Sequence, residues 1–264
     1  MKKHSENEEI LSGGNVSNVY RSGNTVRREL KPESSKIHKL LNHLEIKGFP
    51  YAPRFIGIDE KGREILSFIE GEAGNYPLKK YMWSDDALKG IAEMLRHYHD
   101  TVSDFPITDD WKPIDHTPGQ QEVVCHNDFA IYNIIFQHEK PAGIIDFDLA
   151  APGPRLWDIA YTLYTCVPLS RLYHTDTGEA VYYNPSINAD RIKERVRLFF
   201  ESYGEEMKED YIEMVVLRLE GLCKYMKRKA EDGDTAFQKM LEEGHYEHYQ
   251  ADIKFIQEHG KEWI

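Results

Sequence analysis

The pattern of apolar and polar positions changes period near residue 70. Before that point, short β-prone runs alternate with turn residues. Val19-Tyr20-Arg21 turns through Ser22-Gly23-Asn24 into Thr25-Val26-Arg27-Arg28, and residues that tolerate positive φ between two such runs predict a hairpin. Phe55-Ile56-Gly57-Ile58 and Glu64-Ile65-Leu66-Ser67-Phe68-Ile69 flank Asp59-Glu60-Lys61-Gly62, a second hairpin. Between the two, after Pro32, Ile37, Leu40, Leu41 and Leu44 recur at helical spacing and Gly48 supplies a stop. Glu9-Ile10-Leu11 leads into a glycine-containing loop, Ser12 to Asn18, and the segment closes at Glu70-Gly71-Glu72-Ala73-Gly74, which reads as a connection between lobes.

Beyond residue 70 the period is mostly helical. Ser84-Asp85-Asp86 opens a helix whose Leu88, Ile91, Leu95 and Tyr98 share one face, with serine as the cap and the aspartates suited to the helix dipole. Strand character returns at Val123-Val124, Ile134-Ile135-Phe136 and Gly143-Ile144-Ile145. Two long amphipathic stripes follow. Ile192, Val196, Phe199 and Tyr203 form one, closed by Gly204; Ile212, Val215, Val216, Leu219, Leu222 and Met226 form the other, ending in Lys227-Arg228-Lys229. Core packing accounts for both. The predicted division is a lobe over 1–70 and a larger one over 71–264.

Composition narrows the class. A chain of 264 residues, 41 % hydrophobic, is long enough to bury a sizeable core. No apolar run approaches the ~18 residues of a membrane span, and the charged start has no apolar stretch behind it, unlike a signal peptide. Cys125, Cys166 and Cys223 lie far apart with no CxxC pairing, which argues against a disulfide framework or zinc ribbon and for a reduced, cytoplasmic protein. The net charge of −12 excludes a general nucleic-acid binder, whose surface must displace counterions with basic groups. That charge is uneven: residues 1–70 carry 12 Lys and Arg against 10 Asp and Glu, and residues 71–264 carry 21 against 35.

The strongest chemical signal is His126-Asn127-Asp128-Phe129-Ala130-Ile131-Tyr132-Asn133, followed by Ile144-Ile145-Asp146-Phe147-Asp148. The first is H-x-D-x-x-x-x-N entered from an apolar strand; the second is two apolar residues and then D-F-D. Both together, correctly spaced, arise by chance in about one chain of this composition in a thousand. Phosphoryl transfer from a nucleotide gives each residue a reason. An aspartate orients the acceptor hydroxyl and receives its proton, while an asparagine and a second aspartate hold the metal ions that bridge the phosphates. Asp128 fits the first role, Asn133 and Asp146 the second, and His126 braces the loop. A hydrolytic two-metal cluster of His126, Asp128, Asp146 and Asp148 leaves Asn133 and the first seventy residues unexplained.

The segment from Val123 to Asp158 resembles the aminoglycoside phosphotransferase family, which shares the protein-kinase-like fold and includes small-molecule kinases for choline, macrolides and other alcohols. The likeness extends over nearly the whole chain. It implies a two-lobed α+β fold, with a small antiparallel sheet lobe and a larger, mainly helical lobe. It also implies ATP (or GTP) and Mg²⁺ as nucleotide and metal, Asp128 as the catalytic aspartate, Asn133 and Asp146 as magnesium ligands, and Asp158 in Leu156-Trp157-Asp158-Ile159-Ala160 as a buttress of the catalytic loop. Asp148 stands where typical protein kinases have glycine, which favours a small-molecule acceptor over a protein. No long activation segment with an Ala-Pro-Glu anchor follows it.

By the same resemblance, backbone amides around Gly14 to Asn18, with Ser17 and Asn18, cover the phosphates, and the hinge at Phe68 and Ile69 reads the adenine edge. The lysine such folds carry on the third strand is missing. Its place falls at Thr25-Val26-Arg27-Arg28, and Arg28 is the better candidate because alternation puts Val26 on the same face. Nor does the following helix offer the expected glutamate: Glu45 comes late, and His38 is nearer the place. Acidic residues of the second lobe (Asp176, Glu179, Glu201, Glu205 and Asp234) are candidates to line a pocket for a cationic small acceptor, and Trp157, Tyr161 and Tyr164 could offer ring faces, although their helical spacing points to the core. The expected reaction is phosphorylation of a hydroxyl on such a molecule. The alternative is a catalytically weak kinase-like protein that works by binding, for instance an immunity factor that sequesters a toxin.

Overall fold

The alternation in the first seventy residues folds as one antiparallel sheet. The structure is a computed structural model that describes residues 8–11 and 19–264. Its first elements are β1 (Glu9–Leu11), β2 (Val19–Ser22), β3 (Thr25–Arg28), α1 (Ser34–Ile46), β4 (Phe55–Ile58) and β5 (Glu64–Ser67). The sheet order is β1-β2-β3-β5-β4, and Ser22 pairs with Thr25 across a tight turn in which Gly23 has φ +57°. Asp59 builds the other turn: its Oδ1 accepts from the amides of Lys61 and Arg63, both at 2.9 Å. Strand β5 ends at Ser67, two residues before the sequence pattern does. Phe68 still donates its amide to the Asn24 carbonyl, but Ile69 turns away to pack against Gly143.

On α1, Ile37, Leu40, Leu41 and Leu44 are all buried. Gly48, at φ +78°, turns the chain out of the helix so that the Phe49 amide reaches the Leu44 carbonyl, a conformation that costs glycine nothing.

The chain continues through β6 (Glu72–Ala73), α2 (Asp85–Thr101), β7 (Val123–Cys125), β8 (Ile134–Gln137), β9 (Lys140–Ile144), β10 (Ala151–Gly153) and α3 (Arg155–Cys166). After these come β11 (Leu172–His174), β12 (Ala180–Tyr182), α4 (Pro185–Tyr203), α5 (Tyr211–Glu231), α6 (Thr235–Glu242) and α7 (His245–His259). Strand β6 leaves the first lobe and joins β8 and β9 in a three-stranded sheet, tying the connector to the second lobe. The Ser84 hydroxyl caps α2 by accepting from the Ala87 amide, and Leu88, Ile91, Leu95 and Tyr98 on its inner face are each at most 1 % exposed. Helix α2 packs on α4, α3 on α5, and α5 on α7. The hairpin β11–β12 and helices α6 and α7 have no counterpart in the sequence reading. Among the described residues, no helix is long and apolar enough to cross a membrane, and all three cysteines are buried free thiols.

Candidate active site

Strand β7 delivers the chain to the candidate catalytic loop through Asn127, which sits at φ +64°. Asparagine tolerates that region better than most residues. Here its side chain also locks it: Nδ2 donates to the carbonyls of Leu149 and Ala151, and Oδ1 accepts from the Trp157 indole at 2.8 Å. Asp158, in the first turn of α3 and fully buried, accepts from the amides of His126 and Asn127, both at 2.7 Å. His99 Nε2 lies 3.1 Å from the same carboxylate. Burial opposes its ionisation, but the His99 hydrogen bond and the charge beside it hold the carboxyl below its ordinary value. Asp158 therefore sits directly beneath the catalytic loop.

Asp128 stands above this floor. Its Oδ1 accepts from the Tyr132 hydroxyl at 2.6 Å and its Oδ2 from Asn133 Nδ2 at 2.7 Å. Asn133 also donates to the Asp128 carbonyl at 3.0 Å, closing the five-residue loop on itself. Burial raises the Asp128 carboxyl above its usual value, against the opposing pull of Tyr132 and His126. The His126 ring is fully buried against Phe147 and Phe129, and its Nδ1 accepts from the Asp128 amide at 3.2 Å. Burial lowers its pKa. The ring so placed packs under the turn at Asp128.

The second loop follows β9, where the Ile145 amide donates to the Asn133 carbonyl at 3.0 Å. This bond sets Asp146 (φ +65°) beside the catalytic loop. Asp146 is 50 % exposed and Arg28 Nη1 is 3.7 Å from its Oδ1. Surrounding protein and the charges of Asp148 and Asp128 push its carboxyl up. Asp148 moves the other way: burial opposes its charge, but Arg28 and Lys31 outweigh it. Among the described residues, no group of three or more His, Cys, Asp and Glu could hold a metal. An Asp146 carboxylate with an Asn133 amide oxygen still suits Mg²⁺, a hard ion held by one or two protein oxygens together with phosphates and water.

Of the candidate residues, Asp128, Asn133, Asp146, Asp148, His126 and Asp158 come together, and Arg28 reaches them from β3. Ser17 and Asn18 lie outside the described residues. Phe68 is covered by the Arg21 guanidinium, 3.8 Å above its ring. The sequence reading missed four neighbours. Glu64, paired with Arg28 across β3–β5, is 1 % exposed and forms an ion pair with it; His38 Nε2 lies 2.6 Å from the same carboxylate. Lys31 Nζ is 2.6 Å from Asp148. Arg218 on α5 is buried, donates to the Asn127 carbonyl and covers the Tyr161 ring at 4.4 Å. Tyr132 lies 2.9 Å, hydroxyl to hydroxyl, from Tyr161.

The acidic residues offered for the acceptor lie elsewhere. Asp176 pairs with Lys80 and Glu205 with Lys208, Asp234 caps α6, and Glu179 and Glu201 are exposed. Trp157, Tyr161 and Tyr164 are core residues, as their spacing indicated.

A small antiparallel sheet lobe, a helical lobe, and the Asp128 loop buttressed from α3 beside an acidic loop define a kinase-like fold. The family model described as the phosphotransferase enzyme family matches residues 107–184. The chain is 35 % identical over 210 residues to the trifolitoxin immunity protein of Rhizobium leguminosarum bv. trifolii, with 77 % of each chain covered. It belongs to that phosphotransferase family. Among solved structures, it superposes on the amicoumacin kinase hAmiN in complex with AMP-PNP, Ca²⁺ and Ami, with TM-score 0.62, 11 % identity and coverage of 91 % and 89 % of the two chains. A choline kinase of Cryptosporidium parvum gives 0.60 at 13 % identity, covering 98 % and 92 %. An aminoglycoside phosphotransferase of Streptomyces rimosus, in complex with ADP and streptomycin, gives 0.57 at 17 %, covering 83 % and 94 %. At such identities the likeness is one of fold.

Proposed function

We propose that the protein transfers the γ-phosphate of ATP (or GTP) to a hydroxyl of a small molecule. The observation that carries this reading is the joining of Asp128, Asn133 and Asp146 at one place, over a buried Asp158 that makes two backbone hydrogen bonds to the catalytic loop. Asp128 orients the acceptor hydroxyl and takes its proton as the oxygen bonds to the γ-phosphorus and the bond to the nucleoside diphosphate breaks. Asn133 and Asp146 would hold Mg²⁺, which would supply positive charge against the phosphates. Arg28 steadies the phosphates.

The test is Asp128→Ala, assayed with labelled ATP against aminoglycosides, amino alcohols, sugars and a generic protein. Turnover by the unaltered chain should be lost in the variant while nucleotide binding persists; undiminished turnover refutes the assignment.

The similarity to a trifolitoxin immunity protein favours a second reading, in which the acceptor is a toxin. Sensitive cells carrying either the chain or its Asp128→Asn variant, challenged with trifolitoxin, separate two routes. Protection lost with the variant means phosphorylation, and protection retained means sequestration.

A further inference from the structure

Arg28 does more at this site than a lysine in its place could. Its Nη1 and Nη2 take both oxygens of Asp148, at 3.1 and 2.6 Å, while its Nε side is paired with Glu64. Glu64 is in turn held by His38, whose ring stacks on Phe55 with centroids 3.7 Å apart. The carboxylate that aims the cation therefore comes from the adjacent strand β5 and not from helix α1, and α1 contributes an imidazole instead. A planar fork can satisfy two carboxylates on different edges at once, whereas an ammonium is a single point of charge. Lys31, in the turn that enters α1, adds a third donor to Asp148, and its side chain is 33 % exposed.

We infer that Arg28 and Lys31 together form a split clamp for the nucleotide polyphosphate, with Asp148 competing for the same donors. The inference rests on the nucleotide reading given above. Two fork nitrogens and one ammonium converging on a single anion are the donor set that binds phosphate. Charge points the same way. Arg28 and Lys31 face Glu64, Asp146 and Asp148, with Asp128 close by, a local excess of negative charge; a divalent ion on Asp146 and Asn133 would cancel two of those charges, which favours a polyanion. Arg28 is fixed by Glu64, while Lys31 sits on a turn with room to follow the phosphates. The pair thus divides the task of the missing lysine.

The test is calorimetric titration of the full chain with AMP-PNP and with a non-hydrolysable GTP analogue. Lys31→Gln should weaken the Mg²⁺-nucleotide by about tenfold, the loss of one charge-assisted contact, and Lys31→Arg should stay within about twofold. Arg28→Lys should also lose about tenfold, because it cannot span Glu64 and Asp148. With EDTA in place of metal, Asp148→Asn should bind nucleotide about threefold more tightly. Unchanged melting temperatures establish that each variant is folded. Binding by Lys31→Gln equal to that of the unaltered chain overturns the clamp alone. No binding of either nucleotide by the unaltered chain overturns the nucleotide reading together with it.

Discussion

Asp158→Asn isolates the buttress from the chemistry above it. The substitution keeps shape and removes one acceptor and the charge. At present, Oδ1 accepts from the Asn127 amide, and Oδ2 from the His126 amide with His99 Nε2 beside it. Whichever way the new amide turns, its NH₂ faces at least one N–H that has no other partner, at a site with no exposed surface. A hydrogen bond to a charged group contributes about 1.5–3 kcal/mol, and a buried donor left unpaired costs about 1–3 kcal/mol. The sum, about 2.5–6 kcal/mol, brackets the roughly 3–5 kcal/mol that removing one partner from a buried charged network costs. For a chain of this size that is a fall of about 10 °C in Tm. The pH dependence has a definite sign. The folded carboxyl titrates below its reference value of 3.8, so its contribution is complete above that value and disappears as pH falls through the lower, folded one. Urea unfolding at pH 7 and at successively lower pH should show the gap between wild type and Asp158→Asn narrowing only below about pH 4. A loss under about 1 kcal/mol at pH 7, or a gap that widens on acidification, refutes the buttress.

Two further outcomes follow from distances in the site. Tyr132→Phe keeps the ring and deletes the donor 2.6 Å from Asp128 Oδ1; kcat should fall by about tenfold with nucleotide Kd unchanged, and an unchanged kcat would show that Asp128 is held without it. In Gly74→Ala, the new methyl carbon would lie 2.1 Å from the Ile131 carbonyl oxygen, in the turn that carries Asn133. Either connector or turn must move, at a cost of about 1–3 kcal/mol. Differential scanning calorimetry at matched concentration checks this, and a Tm within 1–2 °C of wild type, about 0.5 kcal/mol, would contradict it.

What was legible in the sequence is what is local. His126, Asp128 and Asn133 lie on one loop, Asp146 and Asp148 one short hairpin later, so contiguous spacing sufficed to group them. Helices α1, α2, α4 and α5 announced themselves because each buries a single stripe. Partnerships across the fold were not legible. His99 and Asp158 are 59 residues apart, and Glu64 meets Arg28 only through the β3–β5 register. With that register in hand, Glu64 could have been found: once the two hairpins are taken as neighbours, Arg28 stands opposite it. Lys31 and Arg218 carried no signal, since a lysine in a turn and an arginine on a helix look like solvated surface. Helix α7 hid for the opposite reason. Of its fifteen residues only Asp252, Ile253 and Ile256 are buried, so its apolar stripe is faint.

The uneven charge illustrates how composition and site part company. The acidic surplus of residues 71–264 suggested a pocket that attracts cations, but of its candidate carboxylates Asp176 and Glu179 lie in the β11–β12 turn, Glu201, Glu205 and Asp234 lie at helix ends, and Asp176 and Glu205 are paired with surface lysines. Around Asp128, beyond Asn133 and His126, stand phenols and one buried cation. Tyr132 and Tyr161 link their hydroxyls at 2.9 Å, Tyr249 from α7 stands within electrostatic reach of Asp128, and Arg218 lies over the Tyr161 ring. A ring face already covered by a guanidinium offers nothing to a second cation. Phenol hydroxyls, by contrast, both donate and accept. The lining on this side of Asp128 is therefore phenol hydroxyls and one buried guanidinium. Charge matters on the opposite side of the site, where Arg28 and Lys31 meet the acidic loop. There the balance depends on three carboxylates, Glu64, Asp146 and Asp148, none of which a net charge of −12 could have located.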